Sequence, residues 1–110
     1  MGRESIGEFE QLVLLTILRL GQSAYGVPIY EELSQHTSRP ILRPSVYVAL
    51  RRLEEKGLIK SRLGSPEPRR GGRARRYFEL DPAALALLRE SRNTLVSLWD
   101  GVTQQLDETV

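Results

Sequence analysis

The hydrophobic period of the chain changes once, at Gly57, and that change restricts the fold more than any other feature. Before Gly57 the apolar residues recur at helical spacing. In EFEQLVLLTILRL (8–20) they stand at 9, 12, 13, 14, 15, 17, 18 and 20. That is wider than one stripe and predicts a helix buried on most sides, ended by Gly21. A second helix is expected from about Ala24 to Gln35, with Ser23 as its cap and Pro28 in its first turns. Its positions Tyr25, Ile29 and Leu33 are four apart and form one stripe. Thr37 to Pro44 reads as a connection, with one short strand at Ile41 and Leu42. A third helix opens at Pro44 or Ser45 and runs to about Lys56, with Val46, Ala49, Leu50 and Leu53 on one face. After Gly57, LIKSRL (58–63) and ARRYFEL (74–80) read as antiparallel strands around a long loop, GSPEPRRGGR. Asp81 caps a last helix, with Pro82 at its first position, running to about Leu106. The expected fold is mainly α with a small β-hairpin (α+β). A winged helix-turn-helix covers residues 1–80, and a C-terminal helix covers 81–110.

Composition removes several function classes. With 110 residues, 40% of them hydrophobic, the chain can build one modest core but not a large enclosed active site. It has no cysteine, and His36 is its only histidine. Disulfides, thiolate metal sites and a histidine cluster are therefore excluded within one chain, and no cofactor is expected. The adjacent pairs Glu31–Glu32 and Glu54–Glu55 point to different helix sides, so no carboxylate pair suits acid–base chemistry. An enzyme is not expected. The opening MGRESIGEFEQ has no basic start or apolar core, which argues against a signal peptide. The longest apolar run, Leu12 to Leu15, is too short to cross a bilayer. The expectation is a soluble cytoplasmic protein without a membrane partner.

Charge is sorted along the chain. Arg43 to Arg76 carries eleven Lys/Arg against three acids, a net of +8, while the remainder nets −6. Such sorting makes one basic face, whose first candidate partner is a polyanion. The second and third helices can form a helix-turn-helix, and the third (about 44–56) has the size to enter a DNA major groove. Its outward side carries Ser45, Tyr47, Val48, Arg51 and Arg52. Hydroxyls of Ser45 and Tyr47 can bond phosphates or base edges, Val48 can touch a thymine methyl, and Arg51 can take guanine bidentately or a phosphate. The hairpin after this helix is then a wing (64–73) on the adjacent backbone or minor groove. Gly71 and Gly72 allow close approach to the sugar-phosphate, and Arg69, Arg70, Arg73, Arg75 and Arg76 supply charge that neutralises phosphates and releases counterions. Strand alternation puts Arg73 and Arg75 on one face and Arg76 on the other. An acidic protein is the alternative partner, with the winged helix as a protein-interaction module.

In the last helix Leu85, Leu88, Arg92, Leu95, Trp99, Val102 and Leu106 are spaced 3, 4, 3, 4, 3 and 4. That is a heptad seam broken at Arg92, and its simplest use is dimerisation through Leu85, Leu88, Leu95, Trp99, Val102 and Leu106. A homodimer presents two recognition helices to two half-sites. Gly101 weakens the helix near its end. Trp99 fills the seam, and in a dimer two such rings can also face a shared cavity and stack on a flat ligand.

The phrases GEFEQLVLLTILRL (7–20), AYGVPIYEEL (24–33), SVYVALRRLEEKGLI (45–59) and GGRARRYFEL (71–80), in this order, resemble the PadR family of bacterial transcriptional regulators. The family's pattern before the wing is met by Ser45, Val46, Tyr47, Leu50, Leu53, Glu54 and Gly57. Its Gly-Gly-Arg wing and Tyr-rich strand are met by Gly71, Gly72, Arg73 and Tyr77. The resemblance implies a sequence-specific winged-helix dimer, usually a repressor on double-stranded DNA, with a C-terminal dimerisation helix as in the short form of the family. In some short members a tryptophan of the last helix lines a flat, drug-binding space between subunits. Trp99 is similar in kind, which implies a small aromatic or hydrophobic effector at the dimer interface.

Overall fold

Helix α1 (Glu8–Leu20) turns Val13, Leu14 and Ile17 into the core. Thr16 is buried among them, and its hydroxyl donates to the Leu12 carbonyl at 2.8 Å, so no polar group is stranded. Burial on most sides does not hold within the chain: Leu15 and Leu18 remain 41% and 50% exposed. Those two lie on the side of α1 that faces the C-terminal helix rather than the core. The computed structural model describes residues 6–65 and 74–109.

A 3-10 turn (Gly21–Ser23) leads to helix α2 (Gly26–His36). Ser23 is not its cap and Ala24 is not its start. Tyr25 takes the N-cap position in extended conformation, because residues 24 and 25 are recruited as a strand stub against the hairpin. Ile29 and Leu33 of α2 are buried. The expected strand at Ile41 and Leu42 does not form; Leu42 is instead the extended N-cap of helix α3 (Arg43–Glu55), whose carbonyl accepts from the Ser45 amide at 3.0 Å. Val46, Ala49, Leu50 and Leu53 are buried, as the spacing of the sequence predicts.

Strands β1 (Ile59–Leu63) and β2 (Arg76–Leu80) pair antiparallel, with Ile59 opposite Leu80, Arg62 opposite Tyr77 and Leu63 opposite Arg76. The Phe78 amide donates to the Ala24 carbonyl at 2.8 Å, and Tyr25 bridges Tyr77. The wing is thus rooted in the helix-turn-helix rather than merely following it.

Helix α4 (Pro82–Trp99) opens as expected, with Asp81 accepting from the Ala83 amide at 2.9 Å. Its first half is seated on the domain. Ala84 and Leu88 are buried, and the Gln11 amide donates to the Ser91 hydroxyl. From Arg92 to Glu108 every residue is exposed. The single helix to Leu106 is interrupted: Gly101 takes φ 84°, and a short helix α5 (Thr103–Thr109) follows. A residue with a Cβ is strained at that φ, so glycine makes the break cheap. The Cα radius of gyration is 16.3 Å, against about 13 Å for a compact chain of this length, and the projecting end of α4 accounts for the excess. Among the described residues no helix is long and apolar enough to cross a membrane.

Candidate nucleic-acid interface

Helix α3 spends its apolar face on the core, which leaves Ser45, Tyr47, Val48, Arg51 and Arg52 exposed. The structure divides this set. Ser45, Val48 and Arg52 line a groove shared with Gly7, Phe9 and Glu10 at the start of α1. Tyr47 lies on the opposite flank, over the first residue of α2. A Cβ built on Gly26 would stand 2.4 Å from the Tyr47 hydroxyl and 2.7 Å from its ring, so the close contact requires glycine. Arg51 is exposed and lies opposite the buried stripe on the helical wheel.

Two polar links hold α3 in place. Lys56 donates to Glu10 at 2.8 Å, half-buried, and ties the end of α3 to α1. Ser61 donates to Glu54 at 2.8 Å and accepts from Arg76 at 2.9 Å, tying α3 to the hairpin. Arg76 is therefore engaged within the fold, on the face opposite Arg75, as the alternation predicts. A third cluster braces α1 to α2, away from this surface. Glu32 accepts from Arg19 at 2.9 Å and pairs with His36 at 3.0 Å. The Arg19 hydrogen bond, aided by His36, holds the Glu32 carboxyl below the usual glutamate range.

At the root of the wing Arg75 lies 4.2 Å over the Tyr25 ring, and Arg62 lies 4.8 Å over Tyr77. Arg43, at the start of α3, lies 4.9 Å over Tyr30. Sequence reasoning missed Arg43 and Arg62. The pairing of Arg62 with Tyr77 follows from the hairpin register and could have been found there. Tyr25 gave no signal, since it reads as a helix position. Arg69, Arg70 and Arg73, with Gly71 and Gly72, lie outside the described residues.

A second surface is apolar. Leu15 and Leu18 of α1 face Leu85, Leu95, Val96 and Trp99 of α4 across a groove of about 760 Å³ rimmed by Gln11, Arg89, Arg92 and Asp100. Trp99 is 45% exposed, and Leu95, Val102 and Leu106 are exposed with it. Leu88 differs from the rest of the seam: it is 6% exposed because its own domain buries it. Val96 and Leu98 are exposed too, so the end of α4 is apolar on more than one side. Among the described residues no group of His, Cys, Asp and Glu is placed to hold a metal.

The model of the transcriptional regulator PadR-like family matches residues 14–90. A PadR family transcriptional regulator from Eggerthella lenta is 31% identical, with 90% of this chain and 86% of that one covered and a TM-score of 0.66. A PadR family transcription regulator from hypervirulent Clostridium difficile is 22% identical, covering 89% and 98%, at a TM-score of 0.71. A PadR-like transcriptional regulator from Bacillus cereus is 22% identical, covering 92% and 89%, at 0.67. No curated protein matches the chain.

Proposed function

Since the chain belongs to the PadR-like family of transcriptional regulators, and is a regulator acting on DNA rather than an enzyme, we propose that it is a homodimeric, sequence-specific repressor. In this reading residues 1–80 bind DNA and 81–110 join two copies. Helix α3 enters the major groove, where Arg51 and Tyr47 meet base edges or phosphates and Val48 meets a thymine methyl. Ser45 and Arg52, on the flank toward α1, take phosphates of the groove wall. Arg75 and the wing arginines Arg69, Arg70 and Arg73 follow the adjacent backbone.

The observation that carries the reading is a division of surfaces. The basic helix and wing root occupy one side of the domain, and the exposed apolar residues of α1 and α4 occupy another. A lone domain gains nothing by exposing Leu95, Val96, Leu98 and Trp99 together, whereas a second copy covers them. Burying them in the dimer sets two α3 helices for two half-sites. The groove beside Trp99 is the place for a small aromatic or hydrophobic effector, which would change the spacing of the half-site readers.

Selection of binding sites from a random duplex pool tests the reading. The wild type should enrich a site with two-fold symmetry. Arg51→Ala should relax one position in each half, by about 1–3 kcal/mol if the contact is a bidentate guanine. No enriched site, or a non-symmetric one, would overturn the dimeric specific reading.

A further inference from the structure

The outer face of the wing root carries one continuous row of side chains. Arg62 on β1 stands opposite Tyr77 on β2, and Tyr77 stands opposite Tyr25 in the strand stub. The Arg62 guanidinium lies 4.8 Å from the Tyr77 centroid. The two tyrosine rings meet edge to face at 5.4 Å and 68°. Arg75 closes the far end, 4.2 Å over Tyr25. The row reads cation, ring, ring, cation, and it crosses from the wing to the N-terminal end of α2.

We infer that Tyr25 and Tyr77 are positioning residues for DNA binding, holding Arg75 and Arg62 as a preset pair of phosphate donors where the wing leaves the domain. The inference rests on the DNA-binding reading above. A guanidinium stacked on a ring uses its flat face for the ring and keeps its edge N–H groups for phosphate. An arginine that must be ordered on docking loses side-chain freedom at that moment; one already stacked loses less. The edge-to-face contact fixes the rings against each other, so neither arginine is held by an independently moving tyrosine. The Phe78–Ala24 hydrogen bond, at 2.8 Å, fastens the same stretch of backbone. The wing root and the helix-turn-helix therefore offer their charges as one body.

The test is anisotropy on a labelled random-sequence duplex, because contacts to the backbone do not depend on base sequence. Arg75→Lys keeps the charge but loses the planar stack, and should weaken binding about two- to fivefold. Tyr25→Leu should weaken it to a similar degree, and Tyr25→Phe, which restores the ring, should recover wild-type affinity. In an Arg75→Ala background, Tyr25→Leu should add little, since the residue it positions is gone. A tyrosine with only a structural role would show additive losses in that cycle, and additive losses overturn the inference. So does an Arg75→Lys variant that binds like the wild type, a result that stands even if Tyr25→Leu fails to fold. A wild type with no salt-sensitive binding to any duplex overturns the DNA-binding reading itself, and this inference with it.

Discussion

Gly26→Ala is the sharpest single perturbation of the contact between α2 and α3. The new methyl would sit 2.4 Å from the Tyr47 hydroxyl, 2.7 Å from Cε1 and 2.9 Å from Cζ, all well inside van der Waals contact. Gly26 is not among the positive-φ glycines of the described residues, so alanine fits the backbone. The penalty is therefore steric and falls on Tyr47. Overpacking of this kind costs about 1–3 kcal/mol. Reduced freedom of the unfolded chain returns about 0.4–1 kcal/mol. Tyr47 is 43% exposed and can swing outward, which places the net loss at the low end, about 0.5–1.5 kcal/mol. In a Tyr47→Ala background the obstacle is gone, and Gly26→Ala should become stabilising by about 0.4–1 kcal/mol. Urea unfolding of the four proteins at one fixed protein concentration gives the coupling, expected at about 1–2 kcal/mol. An equal loss in both backgrounds would refute the steric reasoning. The displaced tyrosine should also weaken operator binding in the single variant, because Tyr47 would leave its place on α3.

Three further outcomes follow from the same structure. Arg73→Ala should weaken binding to operator and random duplex alike and reduce the slope of log K against log salt by about 0.9, the loss of one phosphate contact; a change confined to base preference would remove the wing from the backbone. Leu95→Glu places a charge in the exposed apolar face of α4 and should leave a folded monomer by light scattering, with operator affinity lower by at least about tenfold at concentrations where the wild type is dimeric; an unchanged dimer would place the interface elsewhere. The lowered Glu32 carboxyl contributes stability that is fully present above the usual glutamate range and is lost as pH falls through its depressed folded value; thermal unfolding of Glu32→Gln should therefore lie below the wild type at neutral pH and converge with it in acid, and a gap that persists in acid would contradict the assigned cause.

The legible part of the fold was the part written as a periodic pattern. The switch at Gly57, the buried stripe of α3 and the Asp81–Pro82 helix start are all repeats or caps that local residues determine. The strand stub at Ala24 and Tyr25 is a single bridge, and one pair has no period to read. It forms because β2 offers partners that only the folded hairpin creates, and it displaces the start expected from Ser23. The heptad spacing in the C-terminal segment runs through Val102 and Leu106 regardless of the break at Gly101, so spacing alone overstated the helix. Spacing also could not divide Leu88, buried by its own domain, from Leu95 and Trp99, which are left exposed. In the candidate interface, the exposed side of α3 was readable from the helical wheel. Its division between the α1 flank and the α2 flank was not, because that depends on Tyr47 finding Gly26 across the turn.

The most direct test of a dimeric DNA-binding regulator is fluorescence anisotropy on a labelled duplex from upstream of the protein's own coding region. The titration is run at several salt concentrations beside a scrambled duplex. Tight binding to the upstream duplex alone, at two chains per duplex and with a steep salt slope, is the predicted result. Binding by one chain per duplex, or no binding to either duplex at low salt, would contradict it.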